Sequence, residues 1–347
     1  MDARPSFPGY RLESLIGSGG AGHVFRGVAL ETGEAVAIKV FHAHRVNRPE
    51  FARRFEREVA LSRTLDHPGV VRLLDLAVSD DAQSVALIME LVSGETLRPL
   101  LKQGAVEPRT ALLIALQMVE ILAYVHRKGV AHLDLKPENV LLVGGTTVRL
   151  MDFGISQATF GKAAREGGRT AMIAGTPHYM APEQFAGAPD LDHRADVYAV
   201  GVILHEMLAG ERPAAGILAL GDRLPPKFLR EVEPVLAKLL AMTAPERYQT
   251  AVDVADKLKA LLRSLEAERA AREAAARIVI APPQPPPPAA KPSRPPRRPA
   301  PEEPGAAKDA LHRIAEVLRE HPWILFVAAF GVLLLGMYFL VGWAFSS

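Results

Sequence analysis

A chain of 347 residues is long enough for one large or two small globular domains, so core size is not limiting. A formal net charge of +2 argues against general nucleic-acid binding, and the lack of cysteine excludes disulfides and thiolate metal sites. The opening MDARPSFPGY holds no apolar run, so no secretory signal is expected there.

Residues from about Tyr10 to Leu265 mix strand-like alternation with helical periods and turn residues, a globular pattern. The run Ile16, Gly17, Ser18, Gly19, Gly20, Ala21, Gly22, His23, Val24 fits the spacing G-x-G-x-x-G-x-V from Gly17 onward. A phosphate loop of the G-K-S/T type would need Lys after the last glycine, where His23 stands. A dinucleotide-binding loop would open a helix, whereas Gly22 leads into two β-rich runs around a Thr32-Gly33 turn. The glycines therefore sit in a hairpin, where bare backbone can lie over phosphates, or they form an ordinary flexible turn.

In Ala35 to Val40, the residues Val36, Ile38 and Val40 share one face, and Ala35, Ala37 and Lys39 share the other. A small residue and a lysine beneath a glycine lid leave room for a flat base and supply a cation, although a strand lysine is also a common solvated edge residue. Phe51, Phe55 and Glu58 follow at i, i+4 and i+7, which puts Glu58 on the apolar stripe of a helix. A buried acid needs a partner, and Lys39 is the candidate, unless Glu58 sits at the edge of the stripe and reaches water.

Further along come His132-Leu-Asp134-Leu-Lys136-Pro-Glu-Asn139, then Met151-Asp152-Phe153-Gly154, Ala181-Pro182-Glu183, and a buried apolar run opened by Asp196 and continuing to Gly201. In this order and spacing the chain resembles the bacterial Hanks-type (eukaryotic-like) serine/threonine protein kinases, from about Tyr10 to Leu265. The resemblance implies an α+β, bilobal protein kinase fold, with a small β-rich N-lobe and a larger helical C-lobe. It implies an ATP-dependent enzyme that uses Mg2+ (or Mn2+) and moves the γ-phosphate to Ser/Thr hydroxyls of protein substrates, itself included. Asp134 would orient the hydroxyl and take its proton, and Lys136 would neutralise the γ-phosphate. Asn139 and Asp152 would offer the hard oxygen ligands that Mg2+ prefers. Lys39, positioned by Glu58, would hold the α- and β-phosphates; Met89 aligns as gatekeeper, with Glu90 and Val92 as backbone contacts to adenine. Glu183 would pair with Arg247 inside the C-lobe, and Asp196 would bind backbone amides of the catalytic loop. Two functions compete: a membrane-anchored pseudokinase scaffold, against which the presence of Lys39, Asp134 and Asp152 counts, and a kinase-fold domain for small-molecule phosphorylation, against which the segment ending in Ala181-Pro182-Glu183 counts.

One departure stands out. The family commonly has Arg before the catalytic Asp, to read a phosphate on the activation segment, and here that position is Leu133. Thr170 lies where relatives are phosphorylated, so activity without strict dependence on that phosphate is expected; Thr176 is expected to contact Asp134 and Lys136. The segment Glu211 to Leu224 is short and lacks the usual Pro-Phe element.

Residues 266–280 are expected to extend the last domain helix. From Ala281 to Gly305 the chain carries 12 of its 28 prolines, which predicts an extended solvated spacer or a docking site for proline-binding modules. A short juxtamembrane helix is expected over 308–320. Trp323 to Phe345 then gives 23 residues without a charge, a length that crosses roughly 30 Å of hydrocarbon. Arg313, Arg319 and the cluster Lys291, Arg294, Arg297, Arg298 all flank its N-terminal side. The positive-inside rule then predicts a single-pass inner-membrane protein with a cytoplasmic catalytic domain and a C-terminal tail anchor. Homodimerisation stays open, though Gly331, Gly336 and Gly342 do not make a G-x-x-x-G pattern.

Overall fold

The strand alternation of residues 35–41 is realised in a five-stranded antiparallel sheet of a computed structural model. The structure describes residues 5–19, 22–41, 56, 59–153, 177–188, 190–213, 220 and 224–280. Outside that set lie Gly20, Ala21, Phe51, Phe55, Glu58, Gly154, Thr170 and Thr176, most of the segment 214–223, and everything expected of residues 281–347.

The sheet runs β1 (Tyr10–Gly19), β2 (Gly22–Ala29), β3 (Ala35–Phe41), β4 (Leu73–Val78) and β5 (Val85–Glu90), in the order β1-β2-β3-β5-β4. Its two faces carry different cores. Val36, Ile38 and Val40 pack with Phe7, Phe25, Ala77, Ala86 and Ile88 on one side. Ala37 and Phe41 pack with Val59, Leu73, Leu87 and Met89 on the other. Period-two burial of this kind locks the register, because a one-residue slip would turn Lys39 into the core. Phe7 lies ahead of the first strand, yet is 2% exposed. It is held by a backbone bond from Tyr10 and by Ser6, whose carbonyl accepts from Asp80.

A second, three-stranded sheet is made of β6 (Glu95–Thr96), β7 (Val140–Val143) and β8 (Thr147–Leu150), and the loop of residues 132–139 runs directly into its central strand, β7. Below it pack α1 (Leu97–Leu101), α2 (Pro108–Arg127), α3 (Pro182–Phe185), α4 (Arg194–Ala209), α5 (Pro226–Leu239) and α6 (Ala251–Ile280). Helix α2 starts at Pro108, with the Glu107 carboxylate accepting from the Thr110 amide at 2.8 Å, an N-cap placement that suits both residue types. Among the described residues α2 is long and apolar enough to cross a membrane, but Leu112, Ile114, Met118 and Leu122 are buried in the C-lobe core. Helix α4 is buried almost all round and extends at both ends beyond the run from Asp196 to Gly201, and Gly201 lets α5 approach. A Cβ at Gly201 would lie 2.8 Å from the Leu239 side chain.

The lobes meet where the stretch before β4 joins β8. Val71 donates to the Leu150 carbonyl at 2.8 Å, and the Leu150 amide returns a bond to Gly69 at 2.7 Å. That junction puts the end of β8, and thus Asp152, next to β3.

Candidate active site

The loop between α2 and β7 gathers the polar residues. Lys136 Nζ donates to Asp134 Oδ2 at 2.7 Å, and Asn139 Nδ2 donates to the Asp134 carbonyl at 2.8 Å and to its Oδ2 at 3.2 Å. His132 is fully buried; its Nε2 donates to the Met151 carbonyl at 3.0 Å while its Nδ1 accepts from the Asp134 amide at 3.4 Å. One imidazole thus fixes the catalytic loop against the strand end that carries Asp152.

Beneath the loop, Asp196 at the start of α4 is 1% exposed. Its Oδ1 accepts from Leu133 N at 2.7 Å, and its Oδ2 from His132 N and His126 Nε2, both at 2.8 Å. Burial alone would raise its pKa, but the His126 bond, the neighbouring histidines and the Leu133 amide hold it below the aspartate range. A desolvated carboxylate costs several kcal/mol, and three donors at about 1.5–3 kcal/mol each offset that. They also hold Leu133 at a φ of 60°, a left-handed conformation that costs a leucine on the order of 1–3 kcal/mol.

Across the cleft, Lys39 Nζ donates to Asp152 Oδ2 at 2.7 Å, with both side chains 11% exposed. Burial pushes the Asp152 carboxyl up, and the Lys39 ammonium, with His132 and Lys136, brings it below its ordinary value. Asp152 has a φ of 66° and leaves its Oδ1 buried without a hydrogen-bond partner among the described residues. An orphaned anionic oxygen of this kind, in a cleft that also holds Asn139, fits a hard divalent cation. The sequence pairs Lys39 with Glu58; Glu58 lies outside the described residues, and among the described residues the partner is Asp152.

Strand register assembles the rest. Val24 pairs with Lys39, and Ala37 with Met89, which lines up the glycine hairpin, the lysine strand and the end of β5, the interlobe strand. Gly22 needs to be glycine: its φ is 153°, and an added Cβ would lie 2.0 Å from the Val40 carbonyl oxygen. Gly17 has no such constraint, since its nearest contact would be an ordinary 3.6 Å. Ile16 is half exposed on the lid, and Ser18 Oγ bonds His23 Nδ1 at 3.0 Å across the hairpin. The backbone of Val92 follows β5 on the interlobe connection.

Glu183 and Arg247 form the bidentate pair, at 2.6 and 2.7 Å, with the guanidinium fully buried beside the Tyr198 ring. Burial opposes ionisation of Glu183, and the Arg247 bonds outweigh it, leaving its pKa lowered.

Three groups escaped sequence reasoning. The Glu90 carboxylate accepts from Arg149 Nη2 at 2.5 Å and from the Arg72 amide at 2.6 Å, tying the interlobe strand to β8 and β4. Arg98 on α1 bonds Glu138 at 2.8 Å, Glu206 at 3.0 Å and the Tyr179 hydroxyl at 2.6 Å, and Tyr179 donates in turn to Glu206. Gln184 bonds the catalytic loop. The partners are 40 to 108 residues apart for Arg98, and 18 and 59 for Glu90, with no helical or strand period to announce them.

A protein kinase domain family model matches residues 10–279, past the Leu265 boundary expected from motifs. The serine/threonine-protein kinase pkn2 of Myxococcus xanthus is 37% identical over 276 residues, 74% of this chain and 33% of that protein. The serine/threonine-protein kinase PknA of Mycobacterium tuberculosis is 34% identical over 266 residues, 73% of this chain and 61% of that protein. This chain therefore spans less than two thirds of the curated relatives it matches. The crystal structure of the Mycobacterium tuberculosis PknI kinase domain aligns with a TM-score of 0.59 at 26% identity, covering 75% of this chain and 100% of that one. With the family model matched over residues 10–279, and the fold shared with a solved kinase domain, the chain belongs to the protein kinase domain family.

Proposed function

We propose that the chain is an ATP-dependent serine/threonine protein kinase held at the inner membrane by residues 323–345, its catalytic domain on the cytoplasmic side. The observation that carries the activity is the convergence of Asp134, Lys136, Asn139 and Asp152 on one cleft, with Asp152 Oδ1 buried and without a partner among the described residues.

In this reading the Asp134 carboxylate, oriented by Lys136 and Asn139, receives the proton of a Ser or Thr hydroxyl. Lys136 stays beside it and neutralises charge on the transferred phosphoryl group. Lys39 holds nucleotide phosphates, exchanging its bond to Asp152 for them. Asn139 and Asp152 would hold Mg2+, which supplies positive charge to the phosphate oxygens. The Met89 side chain lines the back of the adenine space, and the Glu90 and Val92 backbone groups bond the base. The membrane placement rests on the uncharged 23-residue segment with Trp323 and Trp343 at its two ends and basic residues on its N-terminal flank.

The test uses washed membranes of cells making either the wild-type chain or Asp134→Asn, with labelled ATP and Mg2+. Incorporation into Ser and Thr should fall by at least about a hundredfold in the variant. Equal incorporation in both would sink the enzyme reading. Recovery of the chain in the soluble fraction would sink the anchor.

A further inference from the structure

The peptide of Leu133, immediately before Asp134, is held from two directions. Its N–H donates to Asp196 from below. Its C=O, the carbonyl bonded to the Asp134 nitrogen, accepts from Gln184 Nε2 at 2.8 Å. The leucine side chain has no polar atom, so these two backbone groups are where hydrogen bonds can orient the residue. Gln184 is itself fixed, because its Oε1 accepts from the Ala181 amide at 3.0 Å, the return arm of a capping arrangement at the start of α3. Helix α3 is anchored in turn by Glu183 on buried Arg247. A continuous path therefore runs from the C-lobe core, through Arg247, Glu183 and the amide of Gln184, to the carbonyl preceding Asp134.

We propose that Gln184 is a positioning residue for phosphoryl transfer, its side-chain amide bridging Ala181 N and Leu133 O to set the peptide plane that aims the Asp134 carboxylate. Only an amide of this length suits both ends, donating to a carbonyl and accepting from an N–H. Methionine fills the same space with neither bond. Glutamate keeps the acceptor for Ala181 and turns an anionic oxygen toward the Leu133 carbonyl. The bridge bonds only Ala181 and Leu133 among the described residues, not β3 or β5, so nucleotide affinity should not depend on it. The proposal rests on the kinase reading above.

The full chain is compared as wild type, Gln184→Met, Gln184→Glu, Phe185→Ala and Asp134→Asn, with dephosphorylated casein as acceptor and ATP varied. Phe185 shares the helix but is 62% exposed, and its variant should keep wild-type rates. Both Gln184 variants should lose about tenfold or more in kcat with KM for ATP within about twofold, as a misaimed reacting group does. Their melting temperatures should stay within about 3 °C of wild type. A smaller loss in kcat, a rise in KM of the same size as the fall in kcat, or a loss that tracks melting temperature in both variants overturns the positioning role. A wild type no faster than Asp134→Asn overturns the kinase reading itself, and the positioning role with it.

Discussion

His205 sits in the middle of α4 with no exposed surface, its Nδ1 donating to the Glu211 carbonyl at 3.0 Å and its Nε2 buried without a partner among the described residues. Burial is the leading cause that holds its pKa below the ordinary histidine value near 6.5. The sign follows from where the proton goes. As pH falls through about 6.5, an unfolded chain binds a proton at this residue before the folded one does, so stability present above that pH is lost below it. Melting curves of the wild-type chain and His205→Gln between pH 7.5 and 5.5 should diverge in slope, the wild type losing more on acidification. Parallel curves would place the acid sensitivity elsewhere. Asp152 and Asp196 behave in the opposite chemical sense, as acids held ionised, and their contribution disappears at lower pH as the carboxylates take protons.

Elements are joined in the C-lobe by side chains more than by strand pairing. Arg98 on α1 touches the catalytic-loop Glu138, Glu206 on α4 and Tyr179 before α3, so one guanidinium joins four segments. Burial works against its charge, and the bonds to Glu138 and Tyr179 more than restore it, raising its pKa. Removing it takes the guanidinium from both Glu138 and Glu206 and leaves Glu206 with the Tyr179 hydroxyl. Arg98→Ala should lower stability by about 2–3 kcal/mol, read as a denaturant midpoint, because breaking a part-buried network costs more than an exposed pair. Arg98→Lys should recover only part, since an ammonium cannot fork to three partners in one plane. The activation segment behaves differently. Thr170 lies outside the described residues, and Leu133 stands where an arginine would read its phosphate. Thr170→Ala should keep kinase activity to within about tenfold of wild type in the same membrane assay, and a larger loss would refute phosphate independence.

At the scale of the whole molecule, what could be read in advance was whatever chemistry fixes in both identity and spacing. The glycine hairpin and the two-faced strand of Lys39 belong to that class; the grouping of Asp134, Lys136 and Asn139, the place of Asp152, the Glu183–Arg247 pair and the β-rich first sheet were expected from the resemblance to a family. Groups set by tertiary register alone stayed hidden. Arg149 finds Glu90 only once β8 lies beside the interlobe strand, and Gln184 gains meaning only when Leu133 turns left-handed. Phe7 is the instructive case. In a lead segment with prolines on both sides it looks like a stray aromatic, yet it covers Phe25, Val36 and Ile38 on the outer sheet face. Phe7→Ala should cost about 3–5 kcal/mol, seen as a lower unfolding midpoint, with the active-site residues untouched. The same feature bears on how a catalytic fragment is cut. A piece begun at Tyr10, where the family match starts, would leave a bare greasy patch on its smaller lobe and tend to self-associate, and a readout of low solubility or spurious dimers would then report the scissors rather than the enzyme.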